Sequence, residues 1–199
     1  MTTTPALIAY LQGLIPLDEL PDTLGFSNAM WQAMENLWQR SIANLDMGLV
    51  IEWGGLLEIS QGRLRLARPV SGTAAGLRLI VPSTSSFVSS FHTHPDSQGY
   101  TGIGFSGADF ADMVNQGERI SLVQSGRNLF ALLRTEDTPV TVPVLKWRTR
   151  MNSLFEQAYR ARRSILAASL IANRMISQDL GLAFYYGRMF RQLVEVYRP

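Results

Sequence analysis

The two histidines of this chain constrain its local structure more than any other feature, because a single residue separates them. They lie in the segment Phe91-His92-Thr93-His94-Pro95, and the chain of 199 residues has no others. In an extended strand, side chains two residues apart point to the same face. His92 and His94 can therefore hold one metal ion together near the end of a β-strand.

An aspartate downstream could complete the ligand set. Ser106-Gly107-Ala108-Asp109 follows the histidines, and Asp109 reaches the same ion if the chain folds back after the strand. Three protein ligands with an open fourth position are typical of catalytic zinc rather than structural zinc. Alternatively, the histidines are polar residues on a solvated strand face, and Ser106 is a helix N-cap with an acidic residue three positions on. A capping serine can still present its hydroxyl to a ligand.

A hydrolase would also need a general base, and Glu52 is the candidate. It lies within the run Leu49-Val50-Ile51-Glu52-Trp53, which continues as Gly-Gly-Leu-Leu and is apolar enough for a buried strand. A buried carboxylate costs free energy unless it has a partner or a function. A metal-bound water would be such a partner, whereas the alternative is a salt bridge or a turn toward solvent. Glu58 is a rival at the end of the strand.

These residues resemble the JAMM (MPN+) zinc metalloproteases, which are deubiquitinase-like isopeptidases. The resemblance rests on Glu52 with its Gly-Gly-Leu-Leu stretch, then His92-x-His94-Pro, then Ser106-x-x-Asp109. It covers roughly residues 49 to 134, and the short chain favours a prokaryotic member. Eleven residues separate His94 from Ser106, which is more than the family usually has.

The resemblance implies an α/β (α+β) fold, in which helices flank a curved mixed sheet of the cytidine-deaminase-like kind. It implies one Zn²⁺ held by His92, His94 and Asp109, with Glu52 as general acid/base and Ser106 as the hydroxyl beside the oxyanion. The implied reaction cleaves a peptide or isopeptide bond after the C-terminus of a ubiquitin-like protein, for maturation or deconjugation. A non-catalytic MPN scaffold is the alternative, although such proteins usually lose a ligand or the base.

The long segment between His94 and Ser106 contains three glycines and two aromatic residues. Glycine permits mobility and unusual backbone angles. Tyr100 and Phe105 are therefore candidate substrate-binding residues on a flap over the cleft. The alternative is an ordinary surface loop with a hydrophobic anchor in the core.

Composition limits the class of protein. A hydrophobic content of 46% with 17% charged residues is typical of a globular chain. The absence of cysteine excludes disulfides, thiolate ligands and a cysteine nucleophile. Because the N-terminus lacks a basic signal region and no apolar run approaches a membrane span, we expect a cytoplasmic protein without membrane segments. Histidine-rich PHP or amidohydrolase sites are excluded by the histidine count.

Charge is distributed unevenly along the chain. Residues 1–143 contain 8 basic and 13 acidic side chains, whereas residues 144–199 contain 10 basic and 3 acidic ones. Such asymmetry can indicate an acidic partner or a nucleic acid, or it can be a solvated helix face. Because no aromatic-basic recognition motif accompanies the charge, nucleic-acid binding is the less favoured interpretation.

Periodicity predicts helices and strands along most of the chain. Helices are predicted over 4–13, 27–42 and 110–116, and strands over 49–59, 63–70, 77–81, 86–92, 120–124 and 129–134. Beyond Pro143, apolar residues at helical spacing predict one long helix over 146–176 and a second over 179–197. The prediction is thus a catalytic domain over 1–143 and a basic C-terminal helical hairpin over 144–199. That hairpin packs on the sheet or binds a partner or a second copy.

Overall fold

A mixed β-sheet carries the fold. The computed structural model describes residues 2–74, 76–77, 79 and 87–199, and within these ranges eight strands form one open sheet in the order β1-β8-β7-β6-β5-β4-β2-β3. The strands are β1 Thr23–Leu24, β2 Trp53–Ser60, β3 Arg63–Ser71, β4 Phe87–Thr93, β5 Ile120–Ser125, β6 Asn128–Arg134, β7 Leu182–Arg188 and β8 Leu193–Tyr197. The five helices are α1 Pro5–Leu11, α2 Asn28–Ser41, α3 Gly107–Gln116, α4 Val144–Arg162 and α5 Ile165–Asp179. The mixed α/β class predicted from the sequence is confirmed at this level.

One pair of strands is parallel, and it positions the histidines. Strands β4 and β5 run in the same direction, with His92 opposite Val123, whereas the other paired strands are antiparallel. A parallel pair requires a crossover connection, and α3 lies within the connection between these two strands. The strand that bears the histidines therefore ends where the crossover begins.

The two faces of the sheet carry different helices. On one face, α1 and α2 cover a core that includes Trp31, Phe26 and Phe91. Ser27 caps α2 by accepting a hydrogen bond from the amide of Met30. Because side chains alternate along a strand, Phe91 and His92 point to opposite faces of the sheet.

The other face is covered by α3, α4 and α5 over a second core, which includes Phe105, Phe110 and Phe130. Helix α3 approaches α4 closely at Gly107. A Cβ built there would lie 2.2 Å from the carbonyl oxygen of Trp147, so only glycine permits this contact. The second core thus fixes α3, and with it Asp109, over the histidine-bearing strand.

The C-terminal prediction is wrong in two respects. The segment predicted as one helix over 146–176 is two helices, because Arg163 adopts a left-handed conformation with φ of 52° and Ser164 caps α5. The segment predicted as a helix over 179–197 forms β7 and β8, and β7 pairs with β6 along its whole length. The helical hairpin therefore consists of α4 and α5, and the sheet crosses the boundary predicted after residue 143.

The other predicted elements agree with the structure to within a few residues, with two exceptions. Glu52 precedes β2 instead of lying within a strand, although its backbone still pairs with residues 72 and 73. The strand predicted over 77–81 lies largely outside the described residues. None of the helices in the described ranges is long and apolar enough to cross a membrane.

Candidate metal centre

The two histidines converge as the strand periodicity predicts. His92 lies in β4, and His94 continues the pairing beyond the strand, since its amide donates to the carbonyl oxygen of Gln124 at 2.8 Å. The Nε2 atoms of the two rings are 3.0 Å apart. Both side chains are 11% exposed. A pair of ring nitrogens therefore faces one point that is nearly closed to solvent.

Asp109 meets this pair from α3. Its Oδ1 lies 3.3 Å from Nε2 of His92, and its Oδ2 lies 3.5 Å from Nε2 of His94. The ligand atoms of the three residues lie within 4.8 Å of one another. We call His92, His94 and Asp109 the histidine cluster. Its side chains form the set from which catalytic zinc sites are built.

Ser106 positions Asp109, and it does so as a helix cap. The Ser106 hydroxyl accepts a hydrogen bond from the Asp109 amide at 3.2 Å, and Oδ2 of Asp109 accepts one from the Ser106 amide at 2.6 Å. The capping-box interpretation of Ser106 is therefore confirmed. The serine is exposed, and its hydroxyl proton is not used in this bond, so the oxygen can also donate to a ligand.

A carbonyl group determines which nitrogen of His94 can bind a cation. Nδ1 of His94 lies 2.9 Å from the carbonyl oxygen of Gly104. A carbonyl oxygen only accepts, so Nδ1 carries the proton of the neutral ring and Nε2 presents its lone pair. Metal-binding histidines usually donate their other ring N–H in this manner.

The pKa values of the cluster follow from burial and from its charges. Burial lowers the pKa of His92, but the carboxylates of Asp109 and Glu52 outweigh this effect and leave the pKa raised. Burial and the neighbouring His92 lower the pKa of His94. Burial alone would raise the pKa of Asp109, yet both imidazoles and Ser106 hold it well below its usual range. Asp109 is thus ionised, and it can pair with a bound cation or with a protonated His92.

Glu52 lies close enough to interact with this cluster. Burial raises the pKa of its half-buried carboxyl to about 7, with His92 opposing the shift and Asp109 adding to it. A carboxyl with a pKa near neutrality can both accept and donate a proton at physiological pH. Its backbone amide and carbonyl bond to Thr73 and Gly72, which hold the residue beside β3.

The two aromatic residues of the loop differ. Tyr100 is 52% exposed and remains a candidate for substrate contact, whereas Phe105 is 2% exposed and packs against Phe110 in the second core. The position of Phe105 favours the anchored-loop alternative over a flap. Asn173 of α5 strengthens the anchor, because its side chain bonds to both the amide and the carbonyl of Phe105.

Residues that the sequence analysis did not single out support the site. Asn173 is buried, and its signal would have been a polar side chain within the apolar stripe of a helix. Ser125 holds the same loop, since its hydroxyl accepts from the amides of Gly102 and Ile103 and donates to the carbonyl of His94. Its position at the end of β5 carried no signal in the sequence.

A buried glutamate lies behind the histidine cluster. Glu118 accepts hydrogen bonds from the hydroxyls of Ser89 and Ser90, at 2.9 Å each, and we call these three residues the glutamate cluster. Burial raises the pKa of Glu118, opposed by both hydroxyls and by the charge of His92. Glu118 and His92 also line one small cavity of about 40 Å³.

Comparisons with known proteins add no relative to this description. No family model, no curated protein and no solved structure matches the chain. The chemistry of the site therefore has to be argued from its own residues.

Proposed function

We propose that this protein is a zinc-dependent peptidase or isopeptidase of the JAMM type, acting after the C-terminus of a ubiquitin-like protein. The observation that carries the proposal is the convergence of His92, His94 and Asp109 within 4.8 Å, with the Glu52 carboxyl coupled to them electrostatically. The order of these residues along the chain matches the family pattern. We also propose that the sheet has the cytidine-deaminase-like arrangement of this family.

The donor set fits a zinc ion. Two imidazole nitrogens and a carboxylate oxygen are ligands that Zn²⁺ accepts in catalytic sites. In neutral His94 the proton is on Nδ1, so the lone pair of Nε2 is free to bind a cation, and Nε2 lies 3.5 Å from Oδ2 of Asp109. When bound, Zn²⁺ would supply a Lewis acid and lower the pKa of a coordinated water to about 7. His92, His94 and Asp109 would hold it.

Glu52 would transfer the proton, and Ser106 would stabilise the negative charge that develops in the reaction. The Glu52 carboxylate accepts a proton from the attacking water and returns it to the departing amine. For an isopeptide bond, that amine is the side chain of a lysine. The Ser106 hydroxyl donates a hydrogen bond to the oxygen on which negative charge develops. Both roles require the side chains to reach the space in front of the histidine cluster.

The test is cleavage of a panel of linear and isopeptide fusions of ubiquitin and bacterial ubiquitin-like proteins by the zinc-loaded protein. We expect the Glu52→Gln variant to retain zinc and to lose cleavage by about 10²- to 10⁴-fold, the usual contribution of general acid–base catalysis. Glu58→Gln is the matched control, because it makes the same change on the neighbouring strand β2 and should leave cleavage unaffected.

Two outcomes would overturn the proposal. Retained cleavage in Glu52→Gln would remove the assigned acid/base. Stoichiometric zinc with no cleavage of any member of the panel would favour the non-catalytic MPN scaffold.

A further inference from the structure

A groove adjoins the loop that follows the histidines. It has a volume of about 830 Å³ and is lined by the C-terminal half of α2, by the loop from Asp96 to Thr101, and by the tips of the hairpins β5–β6 and β7–β8. Asp96 is two residues beyond His94, so the groove begins beside the candidate metal centre. We call it the arginine groove.

Three exposed arginines line the groove, namely Arg127, Arg188 and Arg191. Among the described residues, none of the three forms an ion pair with a carboxylate. An exposed arginine without a partner remains available for a bidentate bond to a carboxylate of another molecule. Arg188 and Arg191 lie on the β7–β8 hairpin and Arg127 lies on the neighbouring β5–β6 hairpin, so three cations line the groove.

The two acidic residues of the groove form no ion pair with these arginines, and both are held by other hydrogen bonds. Glu35 accepts hydrogen bonds from the side chains of Gln39 and Gln124, at 2.7 and 3.1 Å. Asp96 accepts from the amides of Gln98 and Tyr100 in its own turn. The groove therefore presents an excess of positive charge with two fixed carboxylates at its edge.

Two exposed aromatic rings complete the surface. Tyr100 is 52% exposed and Phe190 is 41% exposed, and both line the groove. Phe190 also has a φ of 62°, a left-handed conformation that costs a non-glycine residue about 1 kcal/mol or more. One side of the ring packs against Trp31 of the core, at 6.0 Å between ring centroids, and the exposed side is available to a ligand.

We propose that the arginine groove binds an acidic segment of the polypeptide substrate, one in which carboxylates alternate with apolar side chains. The carboxylates meet Arg127, Arg188 and Arg191, and the apolar side chains cover Tyr100 and Phe190. This inference rests on the proposed function in one respect, because it takes the ligand to be the protein that is cleaved. It adds a site for the body of the substrate, away from the scissile bond.

The fixed carboxylates favour a polypeptide over a nucleic acid. Glu35 and Asp96 would repel the closely spaced phosphates of a continuous backbone. A polypeptide instead carries discrete charges, which can lie against the arginines and avoid the two carboxylates. Long-range attraction by the three arginines would also accelerate association and weaken with salt.

The experiment measures peptide binding by fluorescence anisotropy with the full-length zinc-loaded Glu52→Gln protein, so that binding is independent of turnover. The probe is a short fluorescein-labelled peptide in which glutamates alternate with leucine and phenylalanine. Its counterpart has lysines in place of the glutamates, and a fluorescein-labelled oligothymidylate tests nucleic acid. We expect the acidic peptide alone to bind, with affinity falling as salt increases.

Charge reversal locates the site. The triple variant Arg127→Glu, Arg188→Glu, Arg191→Glu should weaken binding of the acidic peptide by more than about 10-fold, since close charge pairs dominate such contacts. The control variant Arg63→Glu, Arg65→Glu, Arg148→Glu reverses three exposed arginines outside the groove and changes the net charge equally. It should leave affinity within about 2-fold, the range of screened, distant charges.

A second variant tests the site independently, in case the charge-reversal variants misfold. Phe190→Gly removes the ring and its contact with Trp31 but relieves the left-handed conformation. These effects oppose each other, so the melting temperature should change little while peptide affinity falls by several-fold. Equal losses in both triple variants, unchanged affinity in Phe190→Gly, or tighter binding of the oligothymidylate would each overturn the proposal. None of these outcomes depends on whether the wild-type protein cleaves the fusion panel.

Discussion

The glutamate cluster and the histidine cluster satisfy their polar atoms in different ways. In the glutamate cluster, one carboxylate accepts hydrogen bonds from two serine hydroxyls, so donors and acceptors balance within the fold. In the histidine cluster, two ring nitrogens and a carboxylate face one another within 4.8 Å, and one of those rings already uses its proton elsewhere. Acceptors therefore outnumber donors there whenever His92 is neutral.

The difference indicates which cluster could hold a cation. Buried polar groups are stable when each has a partner. Glu118 has its hydrogen-bond partners in the chain, whereas His92, His94 and Asp109 form a group that could bind a metal ion. Two positions of β4 that are two residues apart thus have different roles, because Ser90 belongs to one cluster and His92 to the other.

The largest expected effect comes from removing a ligand. His92→Ala should reduce zinc affinity by more than about 100-fold, because even changes outside the ligand shell typically cost 10- to 100-fold. Glu118→Gln is the control within the comparison and should retain stoichiometric zinc. Metal analysis of the purified proteins after dialysis gives the measurement. Equal zinc contents would mean that the histidine cluster is not the site.

Zinc itself should separate the two clusters by its effect on stability. At free zinc near 100 times the dissociation constant, binding stabilises the folded state by about 2.7 kcal/mol, or roughly 5 to 10 °C in Tm for a chain of this size. Differential scanning fluorimetry with and without chelator would detect it. The shift should vanish in His92→Ala and persist in Glu118→Gln, and magnesium should not reproduce it.

Ser106→Ala should have a smaller effect on zinc affinity. It tests whether helix capping contributes to metal binding. Loss of the cap should cost about 1 kcal/mol of unfolding free energy, and the less restrained Asp109 should bind zinc more weakly. Ser27→Ala is the matched control, since Ser27 caps α2 with the same bond at the same 3.2 Å distance. It should lower stability to a similar degree without changing zinc affinity. A loss of zinc affinity in both variants would contradict the proposed link.

The smallest effect concerns the pH dependence of stability. The pKa of Glu118 is raised from its ordinary value of 4.5, so the folded state binds this proton more tightly than the unfolded chain does. The contribution of Glu118 is therefore present below about pH 4.5 and is lost as pH rises through the folded-state pKa. Relative to Glu118→Gln, the wild type should lose stability over this window.

Urea unfolding of the metal-free wild type and of metal-free Glu118→Gln, at about pH 5 and about pH 7.5, measures this difference. Because both proteins contain the histidine cluster, its titration cancels in the comparison. A constant difference between the two proteins would show that Glu118 does not titrate as its burial implies.

The site was predicted more completely than the C-terminal region, and the reason is the range of the interactions involved. His92 and His94 share a face because of a local period of two, and Ser106 caps its helix through residues three positions away. Residues 182–188 form a strand because they pair with β6, some fifty residues upstream. Their run of aromatic residues fits helical spacing equally well, so the local pattern could not decide between helix and strand.

The surroundings of the site depended on packing that no local pattern encodes. Phe105 was a candidate for substrate contact until its burial against Phe110 placed it in the core. Asn173 and Glu118 had no recognisable motif, because their partners lie far away along the chain or on the neighbouring strand. Such residues become informative only when distant elements are brought together.

The sequence by itself determined the histidine pair, the capping serine and the order of the acidic residues, because short-range geometry and residue chemistry suffice for these. Only the tertiary structure decided that Asp109 meets the histidines, that Glu52 lies close enough to interact with them and that residues 182–197 complete the sheet. Each of these outcomes depends on non-local hydrogen bonds and on the burial of two apolar cores, and both are properties of the folded chain as a whole.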